Sequence, residues 1–241
     1  MRIIQTDTYQ AMSRKAAAVI AAQVIAKPDS TLGLATGDSP LGVYQCLIDW
    51  HKSGDIDFSQ VKTVNLDEYR GLSPDDEQSY RFFMYKNLFS GINVPAENRH
   101  IPDGLAGDPA AECARYDDVI ARCGGIDLQL LGIGNNGHIG FNEPADAFTK
   151  GTHCVGLTDS TIDANSRFFA KREDVPVRAY TMGVRTILSA RKIVLIATGE
   201  RKAQIIKQAF FGDITPLVPA SALQLHGDVT LVGDKAALSL I

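Results

Sequence analysis

The residues of this 241-residue chain best suited to chemistry fall in a few short segments, most of them directly after apolar runs. The densest is Leu131-Gly132-Ile133-Gly134-Asn135-Asn136-Gly137-His138-Ile139-Gly140-Phe141-Asn142-Glu143-Pro144. Its glycines let a backbone approach a ligand and adopt positive φ. His138 and Glu143 suit a carboxylate-oriented imidazole, which fixes a histidine tautomer for proton transfer. One histidine with one carboxylate falls short of the three protein ligands typical of a metal site, so no metal is expected. In Asn65-Leu66-Asp67-Glu68-Tyr69, two adjacent carboxylates stand where a strand should stop. Successive side chains of an extended segment point to opposite sides, so only one of Asp67 and Glu68 can face a given pocket. That carboxylate can be a general base, or the pair can cap a helix or sit in a solvated loop.

Two further segments suit anions. Thr36-Gly37-Asp38-Ser39 leads into Pro40, a residue favoured in the first turn of a helix. A glycine turn entering a helix presents free N–H groups and the positive dipole end to a phosphate; the alternative is a tight turn capped by Ser39. It matches neither G-x-x-x-x-G-K-[ST] nor G-x-G-x-x-G, so a nucleotide is not indicated. Asp38 must then turn its carboxylate outward while its N–H faces in. In Thr198-Gly199-Glu200-Arg201-Lys202, Lys202 falls in a first helical turn, where a cation is unfavourable unless an anion joins it. Arg167, in Asn165-Ser166-Arg167-Phe168-Phe169, reads as an arginine packed along its stem with its head in water.

The elements that must position these residues follow from periodicity. Residues 31–35, 61–66, 126–133, 192–197 and 229–232 are short β-rich runs, most too continuously apolar for a sheet with one wet face. Helical patterns span 9–24, 40–51, 79–89, 109–122, 184–189 and 201–211. Alternating strands and helices predict a doubly wound, mostly parallel α/β sheet with helices on both faces, as a single domain over residues 1–241. Ligands of such sheets sit beyond the carboxyl ends of the strands, where the segments above cluster.

Composition excludes other classes. The chain is 45% hydrophobic and 22% charged, with 24 basic against 28 acidic residues and a net charge of −4. That balance supports neither disorder nor a nucleic-acid surface. No apolar run is long enough to span a membrane, and MRIIQTDTYQ lacks the build of a secretion signal. Cys46, Cys113, Cys123 and Cys154 form no C-x-x-C pair, which fits thiols in a reducing cytoplasm.

Taken together, LGLATGDSP, VNLDEY, LGIGNNGHIGFNEP, ANSRFF, TMGVRTIL, ATGERKA and PASALQLH resemble the glucosamine-6-phosphate deaminase (isomerase) family, from Leu32 to about His226. The resemblance implies a Rossmann-like fold and an enzyme without metal or organic cofactor. It would convert glucosamine 6-phosphate and water to fructose 6-phosphate and ammonia in amino-sugar catabolism. By resemblance, Asp67 moves a proton between C2 and C1 through an enediol-type intermediate. His138 opens the sugar ring, oriented by Glu143, and Asn136 assists through a hydrogen bond. Backbone groups of Thr36, Gly37, Asp38 and Ser39, with Arg167 and Lys202, hold the phosphate; Glu68 and Gly137 complete the substrate-binding set.

Two departures stand out. Asp38 replaces the second residue of the family's glycine pair or glycine–serine variant. His153 and Val155 stand where larger allosteric members carry a basic pair, and the chain stops soon after Leu238, which predicts a non-allosteric monomer rather than a hexamer. Residues 144–152 are the expected lid. A galactosamine-6-phosphate deaminase, a 6-phosphogluconolactonase and a non-catalytic sugar-phosphate sensor are the alternatives.

Overall fold

The computed structural model describes the backbone of residues 1–241 and every side chain except those of Ser160, Ala164 and Phe168. Seven strands pair in parallel: β1 (Arg2–Thr6), β2 (Thr31–Leu34), β3 (Lys62–Asn65), β5 (Arg99–His100), β6 (Leu128–Leu131), β9 (Ile193–Ala197) and β10 (Val229–Asp234). Their order is β1-β10-β9-β6-β2-β3-β5. Strands β2, β6 and β9 are buried at every position, as expected where helices cover both faces.

Helices α1 (Tyr9–Ala26) and α2 (Leu41–Lys52) bury Met12, Ile20, Tyr44 and Leu47 in one core cluster with Leu34 and Leu130. A second cluster joins Leu131 and Leu195 to Tyr116 and Ile120 of α4 (Pro109–Arg122), Ile187 of α6 (Val184–Leu188), and Ile206 and Phe210 of α7 (Ala203–Phe211). Local chemistry sets the helix starts. Thr8 accepts from the Ala11 N–H at 3.1 Å to cap α1, and Asp108 caps α4 just ahead of Pro109. No helix among the described residues is long and apolar enough to cross a membrane.

The chain runs outward from β2 to β3 and β5 on one side, and from β6 to β9 and β10 on the other. The topological switch point therefore lies between β2 and β6, and the loops at Thr36 and Gly134 flank it.

A second sheet was not legible in the sequence: β4 (Asp67–Tyr69), β8 (Arg178–Thr181) and β7 (His153–Gly156), antiparallel in the order β4-β8-β7. Leu66 joins the two sheets. Its N–H donates to Leu34 O at 3.0 Å in the large sheet, and its carbonyl accepts from Met182 N at 2.8 Å beside the small one. The helix expected over 79–89 divides into α3 (Tyr80–Met84) and a π turn over Tyr85–Phe89. Lys202 ends a 3-10 turn, Glu200–Lys202, ahead of α7. Ser39 does not cap α2. Pro40 is the cap residue, and the Tyr9 hydroxyl accepts from the Gly42 N–H at 2.8 Å.

Candidate active site

At the carboxyl ends of β2, β3, β6 and β9 lies a cavity of about 590 Å³, a size suited to a small ligand. It brings together Thr36, Gly37, Asp38, Ser39, Asp67, Asn136, His138, Arg167 and Lys202. Three other expected site residues, Glu68, Gly137 and Glu143, stand outside its wall.

The carboxylate pair divides as the strand geometry requires. Asp67 faces the cavity and is only 6% exposed. Glu68 points to the other side, where it accepts from the N–H groups of Tyr69, Tyr80 and Arg81 at 2.8, 2.9 and 2.9 Å. Glu68, expected in the substrate-binding set, therefore caps the start of α3 from outside the cavity wall. The cap also fixes Tyr80, which lines the cavity. Burial pushes Glu68 up to about 7 against the pull of those three donors. Burial, with the neighbouring Glu68 carboxyl, pushes Asp67 up to about 8. A carboxyl so placed is tuned to exchange a proton near neutral pH.

The glycine-rich loop after β6 folds tightly around His138. The Gly134 N–H donates to His138 O at 2.9 Å, and Gly137, at φ 87°, returns its N–H to Gly134 O at 3.1 Å. The imidazole lies against Gly134 so closely that a Cβ there would fall 2.3 Å from the ring. Gly137 is a packing residue. A Cβ on it would meet Val218 at 2.8 Å, and its carbonyl accepts from Ala220 N at 2.8 Å.

Behind the histidine, Glu143 Oε2 stands 3.5 Å from His138 Nδ1, an ion-pair distance too long for a tight hydrogen bond. That nitrogen is buried and has no closer partner among the described residues. The Asn136 amide donates to Glu143 Oε2 at 2.6 Å, and the Thr161 hydroxyl donates to Oε1. Burial alone would raise the Glu143 carboxyl, but His138, Thr161 and Asn136 outweigh it and hold it at about 2. Glu143 is thus an anion that supports His138 from outside the cavity wall. Asn136 also accepts from the His138 N–H at 3.2 Å, so it braces both groups.

Cationic groups gather at the same cavity. Lys202 Nζ donates to Ile133 O at 2.7 Å and to Asn135 Oδ1 at 2.8 Å, and burial lowers its pKa. Those acceptors answer the cation's unfavourable place at a helix start. Arg167 extends its guanidinium to Asp38 Oδ2 at 2.6 Å, so its head is engaged by a carboxylate. The side chain of Phe168, one of its two expected aromatic neighbours, lies outside the described residues. Gly37, at φ 95°, makes the turn between β2 and α2.

Arg201, Asn135, Tyr80 and Thr161 also line the cavity. Arg201 and Asn135 sat inside segments already singled out, one residue from Lys202 and Asn136. Tyr80 and Thr161 carried no local signal, because a distant cap and the helix α5 (Asp159–Asn165) deliver them. Residues 144–152, expected to form a lid, stand apart from this wall. Pro144, Ala145, Ala147, Phe148 and Thr149 line a separate cavity of about 380 Å³ with His153 and Val155, and the segment is held by Ala145 N to Pro216 O at 3.2 Å and Thr152 N to Asp117 Oδ1 at 3.1 Å. Among the described residues, no group of three His, Cys, Asp or Glu side chains could hold a metal.

The wall thus offers cations for an anionic substituent, and a carboxyl and an imidazole for proton transfer. Comparison with known proteins fits that chemistry. Glucosamine-6-phosphate deaminase of Lachnoclostridium phytofermentans is 59% identical over 232 residues, 96% of this chain and 98% of that one. The protein of the same name from Halothermothrix orenii is 54% identical over 241 residues, the full length of both. A solved monomeric glucosamine-6-phosphate deaminase superposes with a TM-score of 0.97 at 45% identity, covering all of both chains. The 6-phosphogluconolactonase of Trypanosoma brucei, at a TM-score of 0.75 and 18% identity over 99% of this chain and 97% of that one, shares the fold. The sequence profile of glucosamine-6-phosphate isomerases/6-phosphogluconolactonase matches residues 5–232, and the chain belongs to that family.

Proposed function

We infer that this protein converts glucosamine 6-phosphate and water to fructose 6-phosphate and ammonia. One observation carries the reading: the Asp67 carboxyl and the His138 imidazole open into a single cavity that Arg167, Arg201 and Lys202 also line. Deaminases more than 50% identical along the whole chain support this substrate. The lactonases support only the fold.

The chemistry follows from that placement. The phosphate is held by Arg167, Arg201, Lys202 and the backbone of the Thr36–Ser39 turn, which leaves the other end of the sugar near the proton-transfer groups. His138, backed by ionised Glu143, takes the proton of the anomeric hydroxyl as the C1–O5 bond breaks and passes it to O5, so that the ring opens to the aldehyde. Ionised Asp67 then removes the C2 proton while one proton of the substrate's ammonium passes to O1, giving an enolamine, and Asp67 returns its proton to C1. The C1 carbonyl has become an alcohol and C2 an iminium, which water hydrolyses to the ketone and ammonia. Asp67 holds its own proton in the empty site at neutral pH; the substrate's ammonium favours the ionised carboxylate when it arrives. Binding energy from the remote phosphate positions the reacting carbons.

A lactonase needs hydrolysis alone and has no use for a base that moves a proton between two carbons. Ammonia and fructose 6-phosphate should appear in equal amounts from glucosamine 6-phosphate, faster than any product from galactosamine 6-phosphate. Hydrolysis of 6-phosphogluconolactone together with no ammonia from glucosamine 6-phosphate would overturn the reading. We also propose a monomer without an allosteric effector, in line with the solved monomeric relative.

A further inference from the structure

A carboxylate at the wall of an anion-binding cavity works against its ligand, and Asp38 is such a group. Its side chain is more than half exposed, so no burial forces it into place. Its Oδ2 lies 2.6 Å from the Arg167 guanidinium, and the two residues are separated by 129 positions in sequence. The contact therefore ties the turn after β2 to the 3-10 turn Ser166–Phe168 across the cavity mouth. The turn itself does not need the carboxylate. The Tyr9 hydroxyl donates to the Asp38 and Ser39 carbonyls at 3.1 and 3.3 Å and accepts from the Gly42 N–H. The Asp38 carboxylate thus has one evident task, to hold Arg167.

We propose that Asp38 is an internal substitute for the substrate's phosphate: it occupies Arg167 in the empty site and gives it up when the phosphate arrives. This positioning role rests on the reading that the cavity takes a sugar phosphate. Two consequences follow from the geometry. Every phosphate that enters must displace a carboxylate from Arg167, so Asp38 weakens phosphate binding. The guanidinium is meanwhile kept at the mouth rather than free in solvent, so Asp38 and Arg167 act as a unit on affinity. An exposed ion pair is a weak one, which is what a displaceable contact requires.

The test is a double-mutant cycle read by calorimetric titration of inorganic phosphate into the full-length protein, with Asp38→Asn, Arg167→Ala and the double variant. Asp38→Asn should tighten phosphate about threefold to tenfold, the range expected from losing a weak exposed pair and a repelling charge. In the Arg167→Ala background the same change should yield less than half of that gain on a logarithmic scale. An equal gain in both backgrounds would reduce Asp38 to a simple repelling charge and overturn the proposal, as would weaker phosphate binding by Asp38→Asn. The KM for glucosamine 6-phosphate should fall in parallel with the phosphate dissociation constant. Ammonia release by the unaltered protein, measured separately, reports on the proposed reaction. A protein that binds phosphate with the expected coupling yet releases no ammonia would sink the reaction and leave Asp38 as assigned.

Discussion

Replacing Asp67 with Asn should abolish turnover and at the same time make the protein more stable. Burial and Glu68 raise the Asp67 carboxyl from 3.8 to about 8. The folded state therefore holds this proton far more tightly than the unfolded chain does. Stability from that proton is fully present below pH 3.8 and is lost as pH rises, by about 1.4 kcal/mol per unit, until the folded group itself ionises near 8. At pH 7 roughly three units have been crossed, so the charged-when-unfolded Asp67 costs the wild type at most about 4 kcal/mol. Asn is nearly isosteric with the protonated acid and does not titrate, so it escapes this loss. For a chain of this length the gain corresponds to about 10 °C in melting temperature. Urea denaturation of both proteins from pH 4 to 8 should show curves that meet at the acid end and diverge steadily above it. A variant no more stable than wild type at pH 7, or an advantage that ignores pH, would refute the assigned burial. Wild-type ammonia release by the variant would refute the assigned base.

Glu68→Gln removes a negative neighbour of Asp67, so the acid limb of the kcat/KM profile should move to lower pH by about one unit; an unmoved limb would show that the two carboxyls are not coupled. Gly134→Ala places a Cβ 2.3 Å from the His138 ring and must displace it, so kcat should fall on the order of 10²-fold while circular dichroism stays native. Full activity in that variant would mean the imidazole position is not critical. His138→Ala should impair the cyclic substrate far more than an analogue locked in the open-chain form, and equal losses on the two would argue against ring opening.

Much of the fold was legible because a strand covered on both faces must be mostly apolar, and 31–35, 126–133 and 192–197 are, with Thr31, Asp127, Gln129 and Lys192 the polar exceptions. Strand β1, RIIQT, escaped notice because an edge strand is half exposed and mixes polar with apolar residues. Strand β5 has two residues and no pattern to read. The small sheet escaped for a related reason: three residues, Asp67–Tyr69, form β4 only because Leu66 hands the chain from one sheet to another.

The sequence by itself determined which residue types gather at the strand ends: glycines, a histidine and carboxylates after buried strands can be placed by spacing, since strand ends and turns are local events. Only the tertiary structure decided what each one does. Alternation says that Asp67 and Glu68 part company, but the N–H groups of Tyr80 and Arg81 choose Glu68 as the cap and leave Asp67 to the cavity. Glu143 was expected beside His138, but only the fold puts it behind that ring, outside the cavity wall, with its proton affinity held down by His138, Thr161 and Asn136. Asp38 looked misplaced until Arg167, 129 residues away, was found against it. Charge and proton affinity depend on burial and on neighbours distant in the chain, and those exist only once the backbone has folded.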